Sequence, residues 1–247
     1  MRRTSRFSLI VLALALAAPG FLRAQAQPTV DDIVAKNLKA KGGAEKLKSM
    51  QSMQMSGTAT VQGMEVAMTI YSKRPNMMRQ DLKVQDKAIV QAFDGTTVWM
   101  VNPLMGSDTP QELTGPQADS MKDQADFDGT LTDYKAKGHT IELVGTEDVD
   151  GRKAYHLSVT KKNGQIQHYY LDADSGIELR VTTTIDQGGQ PMTIASDLSN
   201  YQEVNGIMLP FSMKQSMNGT PLAQMTIEKA EFNVPLDDSL FKMPVKK

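Results

Sequence analysis

The sequence predicts a mainly β protein: a curved antiparallel sheet of about eleven strands, open as a half-barrel, with an N-terminal helix and an inserted helix covering its concave face. Three observations predict it. After residue 50, apolar and polar residues alternate with a period of two, the mark of strands with one buried and one wet face. The segments meet at Asp94-Gly95, Asp150-Gly151, Asn163-Gly164, Asn205-Gly206 and Asn218-Gly219, dipeptides that supply hairpin turns, so neighbouring strands run antiparallel. Only two regions carry helical signals. A sheet this wide with one apolar face does not stay flat in water. The simplest solution curls the sheet and lays the helices over its hollow side.

The elements follow in order. Arg2, Arg3 and Arg6, an apolar run over 9–18, the Pro19-Gly20 break and the small-x-small site Ala24-Gln25-Ala26 form an export signal, with cleavage expected after Ala26. The run is too short to cross an apolar layer of about 30 Å. Residues 1–26 are therefore a leader, and 27–247 a single domain. Thr29 can cap a helix whose first turn holds Asp31 and Asp32, with Val30, Ile33, Val34 and Leu38 on one side. Gly42-Gly43 ends it, and a short helix over about 44–50 follows. Met53, Met55, Gly57, Ala59 and Val61 share one strand face, and Met64, Val66, Met68 and Ile70 repeat the alternation. Further strands are readable near 77–84, 87–93, 96–101, 140–146, 153–160, 165–172, 177–186, 191–201, 207–217 and 222–232. One interruption, 102–139, contains Pro103, Pro110 and Pro116 and predicts a helix over about 116–127.

Composition excludes much chemistry. The 247 residues include no cysteine, which removes disulfides, thiol nucleophiles, thiolate metal sites and a lipid-anchored cysteine. Loss of the leader leaves 221 residues and removes four arginines and no acid, so the formal charge falls from −1 to −5. That balance argues against nucleic acid as a partner. Export without cysteine suggests a bacterial periplasmic protein held by its core alone. No phosphate-binding loop, dinucleotide fingerprint or nucleophile elbow occurs, so neither a cofactor nor an enzyme is expected. His139, His156 and His168 lack helical metal spacing. His156 and His168 could lie on adjacent strands, either as a metal pair or, more simply, as strand histidines. A hydrolase would need a carboxylate pair or a His–acid pair in a cleft.

Methionine is the unusual entry in the composition. After the leader there are 16 Met against 12 aromatic residues. A flexible, polarisable side chain suits a surface that accepts variable apolar shapes, and it also serves as ordinary core filler. Composition alone supports both readings. Met208 is out of phase with Met213 and Met217, so not every methionine can face one side.

Residues 71–103 are more specific. Tyr71-Ser72-Lys73-Arg74-Pro75-Asn76 ends one strand and opens the next. After one further strand comes Phe93-Asp94-Gly95-Thr96-Thr97-Val98-Trp99-Met100-Val101-Asn102-Pro103. This K-R-P-N followed by D-G-x-T-x-W-x-x-N-P resembles the periplasmic outer-membrane lipoprotein carriers of the LolA type. The motif covers about thirty residues, and the order of elements agrees along the chain after the leader. Residues 201–211 and 232–244 look like the broader outer-membrane lipoprotein-sorting relatives.

The resemblance implies an unclosed barrel with a helical lid over an apolar cavity. It implies a non-catalytic carrier, a chaperone for the acyl chains of lipoproteins released from the inner membrane. An inner-membrane releasing complex and an outer-membrane acceptor would be its partners, and a monomer is expected. Arg74 matches the family arginine whose hydrogen bonds hold the lid shut; the simpler reading is an exposed strand-end arginine. Pro75 adjoins it, and Met78 falls near the expected contact with the releasing complex. Trp99 matches the tryptophan after the D-G turn, with core packing as the other reading. The candidate cavity residues are Met53, Met55, Met64, Val66, Met68, Trp99, Met213 and Met217. Two departures stand: methionine replaces the aromatics usual in such a cavity, and Gln80 stands where an aromatic is expected. One further reading keeps the fold and changes the cargo, a shuttle for a glycolipid, phospholipid or hopanoid. Another, of a different class, is a non-catalytic cell-envelope interaction module with its core fully packed, which the absence of a cavity between lid and sheet would favour.

Overall fold

The computed structural model describes residues 27–61, 63–187 and 190–244; the leader expected over 1–26 lies outside them. Helix α1 (Val30–Ala40) begins with a reciprocal cap: the Thr29 hydroxyl accepts from the Asp32 amide at 3.2 Å, and the Asp32 carboxylate accepts from the Thr29 amide at 3.0 Å. It ends where the Gly43 amide donates to the Leu38 carbonyl at 2.8 Å. A Cβ on Gly42 would lie 2.3 Å from the Gly206 carbonyl oxygen, so only glycine lets this corner touch the turn beneath it. The short α2 (Ala44–Ser49) follows.

Six strands come next: β1 (Ser52–Val61), β2 (Met64–Lys73), β3 (Met77–Val84), β4 (Lys87–Phe93), β5 (Val98–Asn102) and β6 (Ser107–Glu112). Helix α3 (Gly115–Gln124) interrupts. Seven more complete the sheet: β7 (Thr140–Val149), β8 (Arg152–Thr160), β9 (Ile166–Asp172), β10 (Glu178–Gln187), β11 (Gln190–Val204), β12 (Ile207–Met217) and β13 (Thr220–Phe232). All pair antiparallel in the order β6-β5-β4-β3-β2-β1-β13-β12-β11-β10-β9-β8-β7. The first and last strands therefore meet at the centre, with Met55 opposite Ala230. β6 and β7 form the two edges and do not pair, which leaves the sheet open.

Among the described residues the sheet has thirteen strands, against the eleven or twelve read from the alternation. The additional strand is β6, which contains Pro110. A proline is tolerated there because an edge strand has one side without ladder partners.

Pairing fixes which residues share a face. Ala59 lies opposite Val66 on one side and Met225 on the other, while Met78, Phe93 and Val98 form a second row. α3 lies over β4 and β5 and buries Ala118 and Met121, with Ala125 just past its end, against these residues. α1 buries Ile33 and Val34 against Leu157, Val159, Tyr169 and Leu171 of β8 and β9. Two helices thus cover two separate parts of one sheet face. Among the described residues, no helix is long and apolar enough to cross a membrane.

Candidate functional site

The helix-covered face of the first half is lined by Met68, Ile70, Met78, Phe93, Val98, Phe211 and Ile227, with Met55 and Met225 partly buried beside them. Of the predicted cavity residues, Val66 and Met68 lie inside this cluster and Met55 against it. Met53 shares the Met55 face, and Met213 pairs with Met225. Met217, two pairs along β12, is half-buried. Met64 begins β2 and is 59% exposed, at the rim of this face. Gln80 donates to the Met68 sulfur at 3.7 Å, a weak polar contact within the methionine-lined region.

Two predicted positions need correction. Trp99 follows Val98 and so points to the opposite side of the sheet. There it is fully buried, and its indole N–H donates to the Phe241 carbonyl at 2.7 Å. The C-terminal stretch seals that side, with Arg79 reaching the Leu240 carbonyl at 2.9 Å and Lys73 the Leu236 carbonyl at 2.6 Å. Trp99 therefore packs structure and does not line the α3-covered face. Met78 is a buried member of the cluster beneath α3, not a surface contact; Pro75 beside it is exposed.

Arg74 stands between the sheet and the inserted segment. Its guanidinium makes a bidentate pair with Asp128, both bonds 2.6 Å. Its Nε donates to the Met50 carbonyl at 2.6 Å and an Nη to the Leu47 carbonyl at 3.0 Å, at the C-terminal end of α2. The Phe127 ring lies 4.7 Å beneath the guanidinium carbon. One side chain thus joins the β2 end, α2 and the stretch just after α3. These hydrogen bonds hold the Asp128 carboxyl below the ordinary carboxylate range, against burial, and raise Arg74 further. Nothing in the linear spacing pointed to Asp128, which is 54 residues away.

The space foreseen between helix and sheet is filled in this arrangement: Ala118 and Met121 are each 2% exposed. Grooves open elsewhere among the described residues. One of about 650 Å³ lies between the end of α3 and the β8–β9 turn, lined by Lys122, Asp123, Asp126, Lys137, His139, Lys161 and their neighbours. Another, about 440 Å³, lies between Gln51 and the Asn233–Leu236 stretch.

The histidine chemistry is self-contained. His156 Nδ1 lies 2.6 Å from Glu147 and its Nε2 lies 2.9 Å from His168 Nδ1, with Tyr170 stacked at 4.6 Å. Both nitrogens of His156 are thereby occupied. Among the described residues, no group of three or more histidines and acids is arranged to hold a metal. Neither groove contains the His–Glu pair. The geometry is an apolar face, a packed cover and a polar clasp.

No protein-family model matches the chain, and no curated protein matches it. Solved structures do. A LolA superfamily protein from Nitrosomonas europaea superposes with a TM-score of 0.56 at 13% identity, covering 87% of this chain and 98% of its own. A putative outer membrane lipoprotein-sorting protein domain from Vibrio parahaemolyticus gives 0.55 at 13% identity, covering 84% and 97%. A DUF1329 family protein from Desulfovibrio piger gives 0.55 at 14%, covering 86% and 97%. The chain has the LolA-like fold.

Proposed function

We propose that this protein is an exported, non-catalytic lipid carrier of the envelope. Residues 1–26 act as a cleaved leader, and the rest forms one periplasmic binding domain. α3 is the lid and Arg74 its latch. The cargo is the acyl chains of a lipoprotein, collected from an inner-membrane releasing complex and given up to an outer-membrane acceptor. A phospholipid, glycolipid or hopanoid would meet the same face by the same physics.

The observation that carries the reading is the Arg74 clasp over a methionine-lined face. A sixteen-carbon chain leaving water is worth roughly 12 kcal/mol at about 0.8 kcal/mol per CH₂, so it does not leave a membrane unaided at useful rates. A carrier must replace the bilayer with apolar surface and must also let go. A soft methionine lining binds without directional bonds. A cover fastened by a few polar contacts opens at modest cost, about 2 kcal/mol for the part-buried Arg74–Asp128 pair.

Mass spectrometry of lipid extracted from the native protein, with titration of an acylated peptide, tests this. Co-purified lipid and saturable peptide binding are expected. Protein that carries no lipid and ignores the peptide overturns the proposal. Arg74→Leu is expected to impair transfer between donor and acceptor more than uptake, and unchanged transfer removes the latch role.

A further inference from the structure

The larger groove is more than a surface dent. Four lysines, Lys122, Lys137, Lys161 and Lys162, face two acids, Asp123 and Asp126, which leaves a formal charge of +2. Each acid already has its own cation. Asp123 pairs with the buried Lys161 at 3.0 Å, and Asp126 takes Lys137 at 2.6 and 2.8 Å. Lys122 is exposed and reaches only Asp119, at 3.5 Å. Lys162 is exposed and makes no ion pair among the described residues. The two acids are thus neutralised in place, which leaves Lys162 without an ion pair and Lys122 held only by its long contact with the exposed Asp119.

Two of the other lining side chains, His139 and Asn163, are set as donors. His139 Nδ1 accepts the Lys162 amide at 3.1 Å, so its ring hydrogen sits on Nε2. Burial, Lys161 and Lys137 push His139 below its ordinary value and keep that tautomer neutral. Asn163 Oδ1 accepts the Gln165 amide at 3.1 Å, which leaves its NH₂ as a donor. Compact ammonium charges with surrounding N–H donors match the oxygens of a phosphate group.

We propose that this groove binds a phosphate group, either on a lipid headgroup or free in solution. The lipid source rests on the carrier reading above. The site also touches the lid. Lys161–Asp123 and Lys137–Asp126 tie the last turn of α3 and the stretch after it, two residues before Asp128. A phosphate that draws Lys161 and Lys137 weakens those ties, so headgroup arrival and lid release are coupled.

The test is calorimetric titration of the purified protein with inorganic phosphate and, separately, with dihexanoylphosphatidic acid. The variants are Lys122→Gln/Lys162→Gln, which touches no clasp, and Lys153→Gln outside the groove as control. Phosphate should bind, weaken about fivefold or more in the double variant, and be unchanged in the control. The lipid should bind more than about tenfold tighter than phosphate and lose a similar factor in the double variant. Phosphate loss without any gain for the lipid supports the groove as a site for soluble phosphate and counts against the carrier reading. Lipid binding that ignores the double variant, with no phosphate binding, overturns the groove and leaves the carrier reading standing. Equal phosphate binding by all proteins overturns the site as well.

Discussion

Beneath α1 the sheet presents Leu157, Val159 and Leu171, each with no exposed surface, and the cluster there contains no methionine. Beneath α3 it presents Met68, Met78, Phe93 and Val98, and the helix contributes Ala118, Met121 and Ala125. The fastenings differ as well. α1 has its capping box, the wholly buried Asn37 amide donating to the Gly176 carbonyl at 2.9 Å, and the Lys41–Glu178 pair at 3.1 Å. A Cβ on Gly176 would come within 2.9 Å of the Lys36 side chain, so α1 sits directly on the β9–β10 turn. α3 has no side-chain cap, and the ties at and beyond its end are the ion pairs of Asp123, Asp126 and Asp128. One helix is built into the fold by packing against fully buried side chains, with a buried amide bond and ion pairs added to it. The other is set on it by small side chains and charges that can be exchanged. Local stability follows such differences, and elements that move are drawn from the weaker end.

The largest expected effect lies on the α1 side. Leu157→Ala removes a fully buried side chain from a rigid cluster and should cost about 3 kcal/mol in urea unfolding. Met121→Ala removes an equally buried side chain from α3. It should cost about 1 kcal/mol, because a helix that can lift need not keep a cavity. Equal costs for the two would mean that α3 belongs to the same cooperative core, and the contrast would collapse.

The next effect isolates the clasp. Asp128→Asn and Arg74→Leu should each raise amide hydrogen exchange across 115–128 by an amount equivalent to about 2 kcal/mol of local opening. Exchange in α1 should stay at its wild-type rate. Faster exchange in both helices would show that Arg74 supports the whole fold and not one cover.

The two sides were also unequally legible in sequence. α1 carries local signals, Thr29 with Asp32 at its start and Gly42-Gly43 at its end, and they read correctly. The strands read correctly wherever alternation was clean, as from Met64 to Ile70. Alternation failed at Val98-Trp99-Met100-Val101, where four apolar residues in a row carry no period and the face of Trp99 could not be assigned. It failed again at β6, whose proline reads as a break unless the strand is known to be an edge. The arginine of the clasp was marked by its motif, whereas its partners were not. Asp128 becomes a partner only when the insertion folds back, the carbonyls of Leu47 and Met50 only when the end of α2 meets the end of β2, and backbone carbonyls leave no trace in residue type.

The smallest effect separates the regions by acid. His168, on β9 of the α1 side, is held below its ordinary value by burial first and then by His156, with Glu147 opposing. A base whose folded pKa is depressed binds fewer protons folded than unfolded. Its contribution is fully present above about 6.5 and is lost as pH falls from there through the folded value. Asp128 behaves in the same direction at a lower window: its stabilisation is present above about 3.8 and is lost as pH falls below that. Mild acid should therefore weaken the molecule through His168 on β9 and His139 just before β7 while the clasp stays charged, and only stronger acid should break the Arg74–Asp128 pair. Urea midpoints at pH 7 and 5.5, with His168→Gln reducing the difference, test the first half. Exchange of 115–128 between pH 5 and 3, corrected for the intrinsic rate, tests the second. An α3 that opens already at pH 5.5 in the His168→Gln protein would place its control outside the Asp128 carboxylate.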